Sequence, residues 1–280
     1  MAVKIITDST ADLLPHIQQQ VRVVPLTVHF ADEEYIDGVT IDHKTFYEKL
    51  IETDVMPTTS QASPAAFAEE FAALGTDSAV VITIASGLSG TYQSATIAAE
   101  EYENVFVVDS GSAAIGTGIL VELALRLVQQ GMNAEQIARR LEKERERVCV
   151  VALVDTLEYL KKGGRISKSV ALAGSLLNIK PVLSIRDGQI EILGKARGSK
   201  QGNNLLAQQI QNAGGVDFAM PLLLGYTGLS DVMLQKYIED SKHLWEEGTQ
   251  SLNSTIIGSV IGTHAGPGAV AVAFYKKEQE

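Results

Sequence analysis

The first half of the chain alternates short apolar runs with longer segments whose apolar residues recur at helical spacing. Runs typical of buried strands lie at Val3–Ile6, Val21–Phe30, Ala79–Ala85 and Asn104–Val108. Helical patterns begin at Asp42 (with Phe46, Leu50 and Ile51 on the apolar face) and near Pro64, and others span Tyr92–Tyr102, Ala113–Gln130 and Ala134–Arg147. This alternation predicts an α/β/α arrangement of three layers around a mainly parallel sheet.

The second half departs from that alternation. Val182–Ile185 and Ile190–Leu193 flank Asp187-Gly188, a dipeptide that favours a type I′ turn, so these runs predict an antiparallel hairpin. Other strands are predicted at Val148–Val154, Pro221–Gly225, Ser254–Ile257 and Ala269–Phe274, and helices at Thr156–Lys162, Asn203–Asn212 and Leu229–Glu246. We therefore predict two α/β domains, the α/β/α domain over residues 1–147 and a two-layer domain with a mixed sheet over residues 148–280.

The composition narrows the class of protein. Hydrophobic residues make up 45% of the 280 residues and charged residues 20%, which predicts a large core. The formal net charge of -11 disfavours nucleic acid as a partner, because phosphates need a basic face. The single cysteine, Cys149, lies in an apolar run and is expected to be a core thiol. The chain starts as a strand rather than a leader peptide, and no apolar run reaches the roughly 18 residues of a membrane span, so we expect a cytoplasmic protein.

The stretch Ser86–Thr91, with the sequence SGLSGT, joins a predicted strand to a predicted helix. The first amides of a helix lack backbone partners and carry partial positive charge, so such a turn suits an anion. Ser89 and Thr91 add hydroxyl donors, and the glycines let the backbone approach a ligand. The turn therefore predicts an anion pocket, without specifying the anion.

Two other polar segments, Thr58–Gln61 and Gly262–Gly268, also follow apolar elements. Either segment taken alone is consistent with an ordinary loop. His264 is framed by glycines and a proline, a poor setting for packing, so ligand binding or proton relay is as reasonable for it as a structural role. The pairs Asp8-Ser9 and Asp109-Ser110 are expected to cap helices.

Other chemistries find less support in the sequence. The histidines show no metal-ligand spacing and neither nucleotide-binding glycine motif occurs, so we expect no metal and no cofactor. A serine ester hydrolase with Ser89 as nucleophile and His264 as base stays open as an alternative, although Gly87–Thr91 does not match the GxSxG elbow. A regulatory protein without a ligand is a further alternative.

Taken together, six segments resemble motifs of the DegV family of bacterial fatty-acid-binding proteins. They are Ile6–Ser9, Thr59–Gln61, Ser86–Thr91, Leu160–Ser167, Leu177–Pro181 and Gly262–Gly268. They occur in this order and cover nearly the whole chain. The resemblance implies a two-domain α/β protein that holds one long-chain fatty acid, such as palmitate or oleate, at the interface between its domains.

The resemblance also implies roles for individual residues. Thr59 and Ser89 would bind the carboxylate, and His264 would lie near it; the full predicted ligand-binding set is Thr59, Ser60, Ser89, Gly90, Arg197 and His264. Arg197 corresponds best to an arginine that engages a partner kinase or its phosphorylated product. The protein would then be a carrier and not an enzyme, presenting the fatty acid to a separate ATP-dependent fatty-acid kinase and retaining the acyl phosphate.

Burial of the acyl tail would supply most of the affinity. At about 0.8 kcal/mol per buried methylene, a fully enclosed long chain contributes on the order of 10 kcal/mol before entropy losses. Leu172–Ile179 and Ala113–Leu127 are the candidate tunnel walls, and core packing is the competing explanation for each of them.

Overall fold

The computed structural model describes residues 2–166, 178–246, 248–249 and 252–278. Its strands are β1 (Val3–Asp8), β2 (Arg22–Val24), β3 (Thr27–Phe30), β4 (Glu33–Ile36), β5 (Thr58–Ser60), β6 (Ser78–Thr83), β7 (Val105–Asp109), β8 (Val148–Leu153), β9 (Ile179–Arg186), β10 (Gln189–Arg197), β11 (Leu223–Tyr226), β12 (Ser254–Ile256) and β13 (Val270–Tyr275). Its α-helices are α1 (Pro15–Gln18), α2 (His43–Glu52), α3 (Pro64–Ala72), α4 (Thr91–Ala99), α5 (Ile115–Gln129), α6 (Ala134–Glu144), α7 (Glu158–Lys162), α8 (Gly198–Asn212), α9 (Val232–Asp240) and α10 (Ser259–Ala265).

The first half contains the predicted three layers. Strands β2-β1-β6-β7 form a parallel sheet in that order. Successive side chains of a strand face opposite sides, so Val80 and Ile82 pack toward α5 and α6, whereas Ala79 and Val81 pack toward α3 and α4. Ser63 accepts a hydrogen bond from the amide of Ala66 and so caps α3 at the predicted start.

The second half contains the predicted mixed sheet. Its order is β10-β9-β8-β13-β11-β12, antiparallel throughout except for the parallel pair β11 and β12. Helices α8 and α9 cover one face through Leu206, Ile210 and Leu234, which pack on the β8 and β13 side chains. The predicted fold class, α/β with a parallel sheet followed by a mixed sheet, is confirmed.

Helix α5 lies between the two sheets and contacts both of them. Eleven of its fifteen residues are buried, so it lacks the polar face of an ordinary surface helix. Two glycines permit the close approach: a methyl group on Gly116 would collide with Val150 of β8, and one on Gly118 would lie 2.6 Å from the Asp12 carbonyl. Helix α5, which belongs to the first half, therefore packs on the face of the mixed sheet that α8 and α9 do not cover.

Several local predictions were wrong. The segment Thr58–Ser60 is a strand rather than part of a loop, and it pairs in a small antiparallel sheet of order β4-β3-β5 that was not predicted. The segment expected to be a glycine-rich loop contains the end of α10. Ile51 is 54% exposed, and Tyr47 takes the buried position on α2 instead.

Cys149 is half-buried on β8, and burial raises the pKa of its thiol, which keeps it in the unreactive protonated form. Among the described helices, none combines the length and the apolar character that crossing a bilayer requires.

Candidate functional site

A cavity of about 380 Å³ lies between the loops that follow the parallel sheet and the face of the mixed sheet opposite α8 and α9. Its walls are mostly apolar, with side chains from β8, β9 and β13 on one side and from α10 on another. Six of the lining residues are alanines, and these small side chains leave the space open: Ala113, Ala114, Ala152, Ala265, Ala269 and Ala271. The volume falls in the range of about 300–1,000 Å³ that is typical of small-molecule sites.

The polar part of the cavity is built around Thr59 and His264. Strand β5 holds Thr59 opposite Val28 of β3, and α10 carries His264 in its last turn. The Thr59 hydroxyl and His264 Nε2 are 3.0 Å apart and hydrogen-bonded. The neighbouring Ser60 also lines the cavity, and its hydroxyl hydrogen-bonds His29 Nε2 at 2.9 Å.

His264 is neutral at physiological pH. Burial, and secondarily the charge of Arg165, lowers the pKa of its imidazole to about 4. Its Nδ1 is buried and has no hydrogen-bond partner within the described part of the chain. Nδ1 lies so close to Gly163 that a methyl group there would collide with it, so the absence of a side chain at Gly163 is a condition for this imidazole position.

Ser89 and Gly90 stand at the start of α4. The Ser89 hydroxyl lies 2.9 Å from the Thr91 hydroxyl and accepts a 3.3 Å hydrogen bond from the Thr91 amide. If the Thr91 hydroxyl also donates to it, both lone pairs of Ser89 are used and its own proton is free for a ligand. A methyl group on Gly90 would collide with the Gln61 side chain, whose amide nitrogen donates to Ser94 at 2.9 Å.

Two aspartates, Asp8 and Asp109, fix the loops that carry these groups. Asp8 accepts a 2.8 Å hydrogen bond from the Ile84 amide, and Asp109 accepts from the amide and hydroxyl of Ser86. The expectation that both aspartates cap helices was wrong, because Leu14 is the N-cap of α1 and Ala114 that of α5. The carboxylates instead tie the ends of β1 and β7 to the segment that follows β6.

The hairpin of β9 and β10 closes one side of the cavity. Its turn approaches Gly87 so closely that a methyl group on Gly87 would lie 2.5 Å from the Gly188 carbonyl oxygen. Gly188 has φ +68°, a conformation that favours glycine. The second half therefore touches the SGLSGT turn of the first half directly through backbone.

Arg165 lines the cavity, although no role was predicted for it from the sequence. It is half-buried, its Nε donates to the Leu88 carbonyl at 3.2 Å and its Nη1 donates to the Gly163 carbonyl at 2.7 Å. In the ranges that the structure describes, no carboxylate forms an ion pair with it. The sequence could have pointed to Arg165, because it follows the Gly163-Gly164 pair at a helix end and lies inside the matched segment Leu160–Ser167.

Arg197 lies apart from this group. It is exposed at the end of β10, where its amide donates to the Gln201 side chain at the start of α8, and it does not line the cavity. The candidate wall Ala113–Leu127 contributes Ala113 and Ala114, and the rest of it belongs to α5. Residues 172–177 of the other candidate wall, and Ser167 and Leu177 of the matched segments, lie outside the described residues.

The positions of Ser89 and His264 bear on the alternative of a serine ester hydrolase. His264 Nε2 pairs with Thr59, and the hydrogen bonds of the Ser89 hydroxyl go to Thr91, so the structure does not contain a Ser89–His264 pair. Within the described ranges, no group of His, Cys, Asp and Glu has an arrangement that could hold a metal ion.

The fold and the cavity define a class of α/β protein with an apolar chamber between a parallel and a mixed sheet and with polar groups around one Thr–His pair. A family model described as "Uncharacterised protein, DegV family" matches residues 2–277, and the chain belongs to the DegV family. One relative, a DegV domain-containing protein of Caldanaerobacter subterraneus subsp. tengcongensis, is 36% identical over 282 residues, with 98% of this chain and 99% of the relative covered.

Solved structures resemble the chain over almost its full length. One is a DegV family protein from Thermus thermophilus whose structure is described as showing fatty acid binding. It has a TM-score of 0.87 at 33% identity, and the match covers 99% of this chain and 100% of the Thermus protein. A stearic acid-binding protein from Eubacterium ventriosum has a TM-score of 0.86 at 26% identity, with 99% of each chain covered. The Streptococcus pneumoniae fatty acid kinase (Fak) B3 protein, loaded with linoleic acid, has a TM-score of 0.87 at 25% identity and covers 99% and 100%.

Proposed function

We propose that this protein binds a long-chain fatty acid such as palmitate or oleate, with the carboxylate at the Thr59–His264 pair and the tail in the apolar cavity. The observation that carries the proposal is the division of the cavity of about 380 Å³ into mostly apolar walls and one group of polar side chains. The structural relatives that hold stearic and linoleic acid support the same ligand class.

The head group would be bound by hydroxyls and one cation. Thr59 and Ser89 donate their hydroxyl protons to the carboxylate, and the Arg165 guanidinium compensates its charge. A buried carboxylate without a partner would be costly, and hydrogen bonds to charged groups contribute about 1.5–3 kcal/mol each. Neutral His264, with its proton on Nε2, donates to the Thr59 oxygen and so directs the Thr59 proton to the ligand.

The tail would lie against the mixed sheet. Val150 and Ala152 of β8, and Val154 directly after it, face the cavity, and Ala271 of β13 lies beside them. Each methylene buried here is expected to contribute about 0.8 kcal/mol. Affinity therefore depends mainly on the tail, and orientation depends on the head group.

The function would be that of a carrier without catalysis and without a cofactor. It presents the carboxylate to a separate ATP-dependent fatty-acid kinase and carries the acyl phosphate; Arg197, exposed and away from the cavity, is free to contact that partner. The separation of Ser89 from His264 favours the carrier over the ester hydrolase. We place the carrier in the cytoplasm, where ATP for the partner kinase is available.

We also propose the domain division at residues 147 and 148, with the ligand at the interface. Each β-sheet is built from one side of this boundary. The cavity draws its polar groups Thr59 and Ser89 from the first half and its Arg165, His264 and sheet wall from the second.

The first test is mass spectrometry of the ligand extracted by denaturation from freshly purified protein. A stoichiometric fatty acid is the expected result, and protein that is empty and also fails to take up added oleate would refute the proposal. A Thr59→Val/Ser89→Ala double variant is expected to weaken uptake, with Thr53→Val as the matched control, because the Thr53 hydroxyl bonds the Lys49 carbonyl at the end of α2.

The hydrolase is tested separately with a panel of activated esters. No turnover above the solvent rate is expected. Turnover that disappears in both Ser89→Ala and His264→Gln would favour the hydrolase instead.

A further inference from the structure

The start of α10 rests on a buried acidic cluster that the proposed function does not use. The Gly258 amide donates to Asp12 Oδ1 at 2.7 Å. A methyl group on Gly258 would lie 3.1 Å from Asp12 Oδ1, 3.5 Å from His43 Nε2 and 3.9 Å from Asp37 Oδ1. Asp12 is 5% exposed and Asp37 is 4% exposed, and both line a second cavity of about 140 Å³.

Further bonds attach the same segment to the first half. Tyr47 Oη donates to the Ile257 carbonyl at 2.8 Å, and the Thr255 hydroxyl donates to the Leu13 carbonyl at 3.3 Å. Gly262, one turn into α10, sits so close to Tyr47 that an added methyl group would lie 2.6 Å from its Oη. The beginning of this helix is thus fixed to α2 and to the loop after β1.

The other end of α10 carries His264. At a rise of about 1.5 Å per residue, the imidazole-bearing residue lies roughly 9 Å along the axis from Gly258. A helix of two turns bends little, so we expect a displacement at Gly258 to move His264 and to disturb the Thr59–His264 hydrogen bond.

We propose that Asp12 is a positioning residue for the head-group site: by holding the Gly258 amide, it determines where α10 places His264 and hence how tightly the carboxylate is bound. This inference rests on the proposed function, and it adds a residue whose side chain does not line the ligand cavity.

The protonation state of Asp12 and Asp37 matters because few neighbouring groups compensate the charge of an ionised carboxylate in this cluster. Asp12 Oδ2 and Asp37 Oδ1 are buried without a hydrogen-bond partner in the described part of the protein, and the described lining of the second cavity includes no lysine or arginine. Burial raises the pKa of both carboxyls, that of Asp12 well above its ordinary value. The titratable groups that act on them are Asp8 at the end of β1 and His43 and Tyr47 of α2.

Ionisation of Asp12 beside Asp37 adds repulsion at the start of α10, so affinity for the fatty acid is expected to fall as pH rises. His264 has its pKa at about 4, so its imidazole stays neutral between about pH 6 and pH 8.5. A pH dependence of affinity in that window that disappears in Asp12→Asn then reports on the cluster.

Two variants of Asp12 separate its hydrogen bond from its charge. Asp12→Asn keeps an oxygen for the Gly258 amide and cannot ionise; it should bind oleate within about twofold of the unmodified protein at pH 6 and show a flatter pH profile. Asp12→Ala removes the acceptor and should raise the dissociation constant at least about tenfold. His43→Gln should leave the pH profile in place, which excludes the histidine as its source.

Ile210→Val is the control for a general loss of stability. Ile210 is fully buried on α8, across the mixed sheet from the cavity, and the change is expected to cost about 1 kcal/mol. Its affinity for oleate should stay unchanged. An equal loss in Ile210→Val and Asp12→Ala, or unchanged affinity in Asp12→Ala, would overturn the positioning role.

A second measurement does not need the ligand. The imidazole NMR signals of His264, assigned by their disappearance in His264→Gln, should shift in Asp12→Ala, with the pKa rising from about 4 toward its ordinary range as the ring leaves its buried place. They should stay in place in Asp12→Asn and Ile210→Val. If the unmodified protein binds no fatty acid, the proposed function fails, and the His264 signals alone decide whether Asp12 positions α10; unmoved signals in Asp12→Ala refute it.

Discussion

A single methyl group at position 163 should weaken the head-group site without unfolding the protein. Gly163 ends α7 with φ -74° and ψ -6°, a conformation that alanine adopts freely. The methyl group of Gly163→Ala would collide with His264 Nδ1, so the imidazole must move. Movement of the ring breaks the 3.0 Å hydrogen bond between Nε2 and Thr59, and the Thr59 hydroxyl loses its orientation toward the carboxylate.

The size of the effect follows from the bonds that are lost. The Thr59–His264 bond itself is worth about 0.5–1.5 kcal/mol, and a misdirected hydroxyl forfeits much of a charge-assisted bond of about 1.5–3 kcal/mol. A total of about 1.5–3 kcal/mol corresponds to a roughly 10- to 150-fold increase in the dissociation constant for a fatty acid. The contacts of the tail are unaffected, so binding should weaken rather than disappear.

Displacement of a fluorescent fatty acid, measured alongside the melting temperature, checks this expectation. The control is Gly194→Ala, whose methyl group meets the flexible end of Leu205 at 3.0 Å on the α8 side of the sheet. In a His264→Ala background, Gly163→Ala should have no further effect, because nothing remains for it to displace. An additive loss in that double variant, or unchanged affinity in the single one, would refute the reasoning.

Three other outcomes are expected. Arg165→Gln should weaken oleate binding about tenfold, with partial recovery in Arg165→Lys, as measured by calorimetry; equal affinity would remove Arg165 from the head-group site. Ala271→Leu should shift preference toward shorter acyl chains by about 0.8 kcal/mol per excluded methylene, seen by native mass spectrometry from laurate to stearate, whereas equal losses at every length would contradict the assignment of the tail wall. Burial raises the pKa of Asp8 and Asp12 above 3.8, so their contribution to the free energy of unfolding is complete below that pH and declines as pH rises toward the folded-state values. Urea titrations from about pH 5 to pH 8 should show this decline and a shallower slope in Asp12→Asn; an unchanged slope would contradict it.

The elements that follow from local pattern were predictable. The run before Ser86 is apolar and β-branched, and Gly87 and Gly90 mark the turn, so the order of strand, turn and helix could be deduced from neighbours in the chain. The hairpin was equally accessible, because Asp187 and Gly188 both adopt positive φ, as a type I′ turn requires.

Elements that depend on distant partners were missed. Strand β5 has three residues and exists because Thr59 pairs with Val28, thirty-one positions earlier. Helix α10 has the weak helix formers Gly262 and Thr263, and contact with Tyr47 compensates for their low propensity. Long-range pairing of this kind leaves no periodic signal in a short segment.

The candidate site was predictable only in part, because local segments reveal some of its residues and long-range contacts determine the others. Thr59, Ser89 and His264 occur in recognisable segments, and the structure brings them to one cavity. Arg165 sits in such a segment too, yet its sequence neighbours do not reveal that its guanidinium meets Leu88, seventy-seven residues away. Arg197, which the family resemblance placed among the ligand-binding residues, lies at a separate exposed place.

Helix α5 has a consequence for how the protein unfolds and for how it can be divided. Its apolar surface continues from Val80 of the parallel sheet to Val150 and Ala271 of the mixed sheet, as one cluster of buried side chains. A cut between residues 147 and 148 would separate the helix from half of what it covers. Each fragment expressed alone should aggregate, co-expression should restore a native-like pair, and amide hydrogens in both sheets should exchange together, in one global opening.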